Sequence, residues 1–144
     1  MQSITITSIR ARLEDADSIR AFLWTHHARF VGTDHQRDTY FNVPHGKLKL
    51  RQGSIETALI HTEGYLPLDT GAQDLGNILE KAVGTVLVVE RKREIYFIDN
   101  VKFHLDEVEG DGYFVEIEAL DPEDRIAEEE LARQCQFYRD ALGL

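Results

Sequence analysis

This sequence of 144 residues predicts an α+β fold of eight mainly antiparallel strands and three helices. Three observations carry the prediction. Short segments alternate apolar and charged residues with the two-residue period of half-buried strands. Three longer segments place apolar residues on one face at helical spacing. The whole pattern also repeats, since Tyr40-Phe41 returns 56 positions later as Tyr96-Phe97, with Arg93 answering to Arg37 and Glu94 to Asp38. The chain therefore reads as one domain built from two copies of strand, helix and three strands. The copies span about 3–53 and 56–120, with a closing helix over about 122–142. At 42% hydrophobic residues it can bury one real core.

The first strand falls in "ITITSIRARL". Ile19, Phe22, Leu23 and His26 then form an i, i+3, i+4, i+7 stripe, and the repeat offset gives a second stripe of Leu75, Ile78, Leu79 and Ala82. Between Asp38 and Gly53, "DTYFNVPHGKLKLRQG" reads as a hairpin. Its Val43-Pro44-His45-Gly46 has proline second and glycine fourth, as a type I turn favours. Along the second arm Leu48 and Leu50 point one way, and Lys47, Lys49 and Arg51 the other. The second copy answers with Lys102-Phe103-His104-Leu105-Asp106, after an Asp99-Asn100 pair suited to a two-residue hairpin loop. For the last helix, Asp121 is the expected cap and Pro122 the first residue, with Glu123 and Asp124 at the positive end. Ala127, Leu131, Cys135, Tyr138 and Leu142 make its apolar stripe, and Gly143 ends it.

Charges collect on one side of these strands: Lys49 and Arg51, Arg91 and Arg93, His104 and Asp106, Glu116 and Glu118. Two arrangements satisfy the pattern. An open sheet buries its apolar face under helices and wets the charged face; a closed sheet encloses the charges. Converging cations and carboxylates would suit a polyphosphate with a divalent metal. With 26 acidic against 16 basic residues the net charge is −10, which argues against broad nucleic-acid or anionic-membrane binding. Cys135 is the single cysteine, so no internal disulfide is possible and a reducing compartment is expected. With no signal-like start and no apolar run of membrane length, the expected location is the cytoplasm.

Two runs, "RDTYFNVPHGKLKLRQG" and "VVERKREIYFIDNVKFHLDEVEGDGYFVEIEA", resemble the CYTH superfamily, which joins class IV adenylyl cyclases, thiamine triphosphatases and inorganic triphosphatases. The bacterial class IV cyclase type is the nearest in pattern. The resemblance implies a closed eight-stranded antiparallel barrel, a triphosphate tunnel with pseudo-twofold halves and three outer helices. It implies that Lys47, Lys49, Arg51, Arg91 and Arg93 grip the triphosphate, and that all but Lys47 serve catalysis. His104 would donate to phosphate, and Asp106, Glu116 and Glu118 would hold Mg²⁺ or Mn²⁺; Glu56 is a weaker match. The substrate would be ATP, inorganic triphosphate or thiamine triphosphate, and a homodimer is common in such proteins.

The first strand departs from the pattern. The family's Glu-x-Glu-x-Lys falls on Ile6, Ser8 and Arg10, and Thr62 and Gly64 stand where similar sequences have Tyr and Arg. Two outcomes follow. Either cyclisation or hydrolysis survives on the remaining groups, or the chain is a catalytically degenerate triphosphate-binding module. Other residues carry plainer expectations: His26-His27 are adjacent and cannot face one ligand, His45 is a solvated turn residue, Cys135 is core, and Trp24 packs.

Overall fold

The computed structural model describes residues 2–3, 5–62 and 64–144, with side chains from Thr7 onward. The side chain of Ile6, one of the motif positions above, lies outside what is described. The elements run β1 (Gln2–Ser3), β2 (Thr5–Leu13), α1 (Asp17–Thr25), β3 (Arg29–Phe41), β4 (Leu48–Gly53), β5 (Thr57–His61), β6 (Gly64–Pro67), α2 (Ala72–Val83), β7 (Thr85–Ile98), β8 (Val101–Val108), β9 (Gly112–Asp121) and α3 (Glu128–Ala141). Strands β2 to β9 answer to the expected eight, and the pairs β2–β9, β3–β4, β4–β5, β5–β6 and β8–β9 are antiparallel. With three helices the class is α+β. No helix among the described residues is long and apolar enough to cross a membrane.

The chain divides into two compact units, and the long strands β3 and β7 each contribute to both. The first unit holds residues 1–3 and 34–91, with strand order β1-β6-β5-β4-β3. Its hairpin is as expected, since Phe41 opposes Leu48 and Asp38 opposes Arg51 across β3 and β4. Leu50 is 1% exposed, and a Cβ on Gly76 of α2 would come within 3.0 Å of its Cδ2. That mid-helix glycine lets the helix backbone approach the strand closely. The α2 stripe holds only in part: Leu75 and Leu79 are half-buried, whereas Ala82 is exposed and Ile78 is 63% exposed.

The second unit holds residues 4–33 and 92–144, with strand order β7-β8-β9-β2. Its core forms as the alternation requires. Val101, Phe103 and Leu105 of β8 and Val115, Ile117 and Ala119 of β9 are buried, together with Ile19 and Leu23 of α1 and Leu131 and Cys135 of α3. The Cys135 Sγ–H donates to the Thr7 carbonyl at 3.1 Å, and burial raises its thiol, so it is an inert core residue as expected. Trp24, by contrast, is 86% exposed and does not pack.

The third helix starts later than its sequence suggests. Asp121 does cap backbone, accepting from the amides of Arg125 and Ile126 at 2.9 and 3.0 Å, but it closes a turn instead of the helix. Asp124 adopts a φ of 54°, a left-handed conformation that no helix can run through, and α3 begins at Glu128. Its end is as expected. Gly143 has a φ of 71°, and the amides of Gly143 and Leu144 reach back to the carbonyls of Asp140 and Arg139, which is a Schellman cap.

Candidate functional site

The central charged residues of the strands' polar faces are buried. Asp38 is 0% exposed, and Arg51, Arg93, His104 and Asp106 are all buried. Ionised groups out of water must be paired, and both units pair them in specific ways.

In the first unit Asp38 is the centre. Arg51 donates through Nε and Nη2 to its two oxygens at 3.0 and 2.9 Å, a bidentate fork set by their opposition across β3 and β4. Arg91 donates through Nη1 to Oδ2 at 2.6 Å, and Lys49 Nζ stands 3.8 Å from the same oxygen. Three cations thus share one carboxylate. Burial pushes the Asp38 carboxyl up, but the Arg51 hydrogen bonds and the charges of Arg51 and Arg91 overcome this and lower it to about 2. Next along, Gln36 gives its carbonyl oxygen to Arg91 and its amide to Asp34, and reaches Glu56 at 3.5 Å. Lys47 is exposed, just before β4.

In the second unit the polarity of the fork is reversed. Arg93 donates through Nε and Nη2 to the two oxygens of Asp106 at 2.8 and 2.9 Å. Burial works against the Arg93 charge, and Asp106 more than offsets it, so the guanidinium stays protonated. Arg10 Nη1 lies 3.5 Å from Asp106 and 3.8 Å from Glu116, with its guanidinium over the Phe114 ring. Asp106, expected as a metal ligand, is therefore committed to arginine. The atoms that converge are those of His104, Glu116 and Glu118, all within 4.8 Å of one another.

The β8–β9 register makes that cluster by setting His104 opposite Glu116 and Lys102 opposite Glu118. Burial, then the Arg93 charge, pushes the His104 imidazole down to about 4, so it is neutral near pH 7. Burial and the neighbouring Glu116 raise Glu118. Glu116 stays low against its own burial because the His104 ring and the Glu118 carboxyl lie beside it and the Arg93 charge favours its ionised form. From the first strand, Ser8 stands opposite Glu118 and Arg10 opposite Glu116. Ser8 thus puts a hydroxyl where the family motif has a carboxylate, whereas Arg10 keeps a cation at the motif's lysine position.

A family model for the CYTH domain matches residues 8–143. The chain belongs to the CYTH family. No curated protein sequence matches it. Among solved structures, a Pyrococcus horikoshii OT3 protein is 22% identical with a TM-score of 0.77, covering 97% of this chain and 91% of that one. A candidate adenylate cyclase from Vibrio parahaemolyticus is 18% identical at a TM-score of 0.76, covering 98% and 86%. A candidate adenylyl cyclase from Hippeastrum, described as revealing a dominant triphosphatase activity, is 16% identical at 0.62, covering 96% and 87%. At these identities the likeness shows that this CYTH chain shares their fold.

The structure thus draws Lys49, Arg51 and Arg91 of the CYTH chain together and joins Arg93 to Asp106. The sequence reading missed Asp38, the hub of the first cluster. The signal was present, because the hairpin register alone sets Asp38 opposite Arg51.

Proposed function

We propose that this CYTH protein binds a triphosphate compound with a divalent metal and hydrolyses it at the terminal phosphorus. The observation that supports this best is the gathering of three cations at Asp38. Lys49, Arg51 and Arg91 all converge on one buried carboxylate, which fixes their positions for an anion with several oxygens. Lys47, exposed just before β4, is a further cation of the same unit. The Vibrio and Hippeastrum proteins, a candidate cyclase and a candidate cyclase with triphosphatase activity, lend the triphosphate its prior.

In this reading the chain's own work is positioning. Asp38 orients the Arg51 and Arg91 guanidiniums before substrate arrives, so little reorganisation is needed as charge shifts onto the phosphate oxygens. The His104, Glu116 and Glu118 donor set fits a divalent ion, which when bound would neutralise further phosphate charge. Binding without turnover is the second reading, favoured by Ile6, Ser8 and Gly64, which stand where the family carries two carboxylates and an arginine.

Calorimetry with inorganic triphosphate should show binding that weakens with salt, and Lys49→Ala or Arg91→Ala should each weaken it about tenfold, the worth of one charged hydrogen bond. No binding at low salt would overturn the proposal. Incubating ATP, inorganic triphosphate and thiamine triphosphate with Mg²⁺ or Mn²⁺, and measuring phosphate, pyrophosphate and cyclic AMP, separates hydrolysis, cyclisation and binding alone.

A further inference from the structure

We infer that His104 is itself a metal ligand, and that with Glu116 and Glu118 it makes a mixed nitrogen–oxygen site selecting Co²⁺ and Mn²⁺ over Mg²⁺. The inference deepens the proposed function, resting on its reading that strands β8 and β9 hold the divalent ion.

His104 is 2% exposed, and neither ring nitrogen finds a hydrogen-bond partner among the described residues. Native proteins rarely leave a buried polar group in that state, because each such group forfeits its hydration with nothing in return. The orphaned Nδ1 is also aimed. It stands 3.4 Å from Glu116 Oε1 and 3.9 Å from Glu118 Oε1. Donors bonded about 2.1 Å from a common ion lie about 3.0 Å apart at right angles and about 3.6 Å apart at 120°, so these separations need little adjustment. Arg10 approaches the other Glu116 oxygen, Oε2, at 3.8 Å and leaves Oε1 turned to the histidine.

The donor set decides the ion. Mg²⁺ is a hard cation that takes oxygen ligands and keeps its waters, whereas imidazole nitrogen favours first-row transition ions in the order Mn²⁺ below Co²⁺. With Ser8 opposite Glu118, the first strand brings no described carboxylate to this cluster. The histidine therefore supplies a third donor that a purely acidic site would have drawn from elsewhere.

The test uses the whole, tag-free protein with the metal salts alone, without triphosphate. Titration should give affinities in the order Co²⁺, Mn²⁺, Mg²⁺, with Mn²⁺ at least about tenfold tighter than Mg²⁺. In His104→Gln the Mn²⁺ affinity should fall about 10- to 100-fold and the Mg²⁺ affinity much less. Pulsed electron paramagnetic resonance of the parent protein loaded with Mn²⁺ should show coupling to a directly bound ¹⁴N, a readout that needs no variant to fold. Mn²⁺ binding that Glu116→Gln abolishes, yet without ¹⁴N coupling and with Mg²⁺ bound equally well, would overturn the histidine ligand and leave the proposed function standing. Failure of every divalent ion to bind would overturn both.

Discussion

In the first unit an aspartate on β3 takes an arginine from β4; in the second an arginine on β7 takes an aspartate from β8. Both forks are bidentate, with all four bonds between 2.8 and 3.0 Å, and in both the partners are 13 positions apart. The same local frame has been used twice with the charges exchanged. What surrounds each fork then differs in sign. Around Asp38, β5 sets Ala58 opposite Arg51 and Ile60 opposite Lys49. Around Asp106, β9 offers Glu116 opposite His104 and Glu118 opposite Lys102. Cations gather around the acid of one frame, and carboxylates beside the arginine of the other.

The largest expected effect comes from removing either acid. Asp38→Asn and Asp106→Asn should each cost about 3–5 kcal/mol, the usual consequence of stranding a buried charge. The two should part when inorganic triphosphate is added. Asp38→Asn leaves three cations without their shared counter-charge, so triphosphate should raise its melting temperature more than the parent's. Asp106→Asn strands chiefly Arg93 and should gain no more than the parent. Equal responses from the two variants would mean that the frames do not differ in the way their charges suggest.

The repeat itself shows how far the sequence reading reaches. Its most visible letters, Tyr40-Phe41 and Tyr96-Phe97, are not equivalent in space. Tyr40 opposes Lys49 on the polar face, with the lysine ammonium 5.6 Å from its ring, whereas Tyr96 packs against the apolar core. Likewise Glu94, matched by letter to Asp38, faces α1 and takes the Arg20 guanidinium at 3.0 and 3.1 Å. In a strand a one-residue slip exchanges the faces, so identical letters at the wrong offset mislead, while the periodicity beneath them stays sound. Periodicity is why the strands, the hairpin and the helices α1 and α2 were legible. Asp38, Arg10 and the His104 cluster were not, because their roles arise from cross-strand neighbours far apart in sequence. The late start of α3 was hidden for another reason, since capping residues such as Asp121 serve turns and helices alike.

A smaller effect sharpens the comparison through pH. The Asp38 carboxyl sits at about 2 in the folded protein against 3.8 as its ordinary value. A lowered carboxyl stabilises the fold above its unfolded pKa, and the contribution is lost as pH falls through the folded one. Between about pH 4 and pH 2 the protein should therefore lose about 2 kcal/mol through this group. Asp38→Asn should show a correspondingly flatter decline over the same interval in denaturant titrations. An unchanged slope would mean that the fork, however short its bonds, does not couple Asp38 ionisation to folding.

The smallest expected effect tests the departure in the first strand. Ser8 lies opposite Glu118, so Ser8→Glu adds a carboxylate directly across from an acid that burial has already raised. Without metal, two like charges in cross-strand opposition should cost up to about 1 kcal/mol, and Glu118 should be driven further up. With metal the sign should reverse, because a fourth donor joins His104, Glu116 and Glu118 and relieves that repulsion. Saturating Mn²⁺ should then raise the melting temperature of Ser8→Glu by more than it raises the parent's. The Asp38 frame gives the control: Lys49→Ala, in the anion-seeking unit, should leave the response to Mn²⁺ alone unchanged while weakening triphosphate binding. If Ser8→Glu folds yet responds to Mn²⁺ no better than the parent, the first strand has no part in holding the ion, and its departure from the family pattern carries no cost for metal binding.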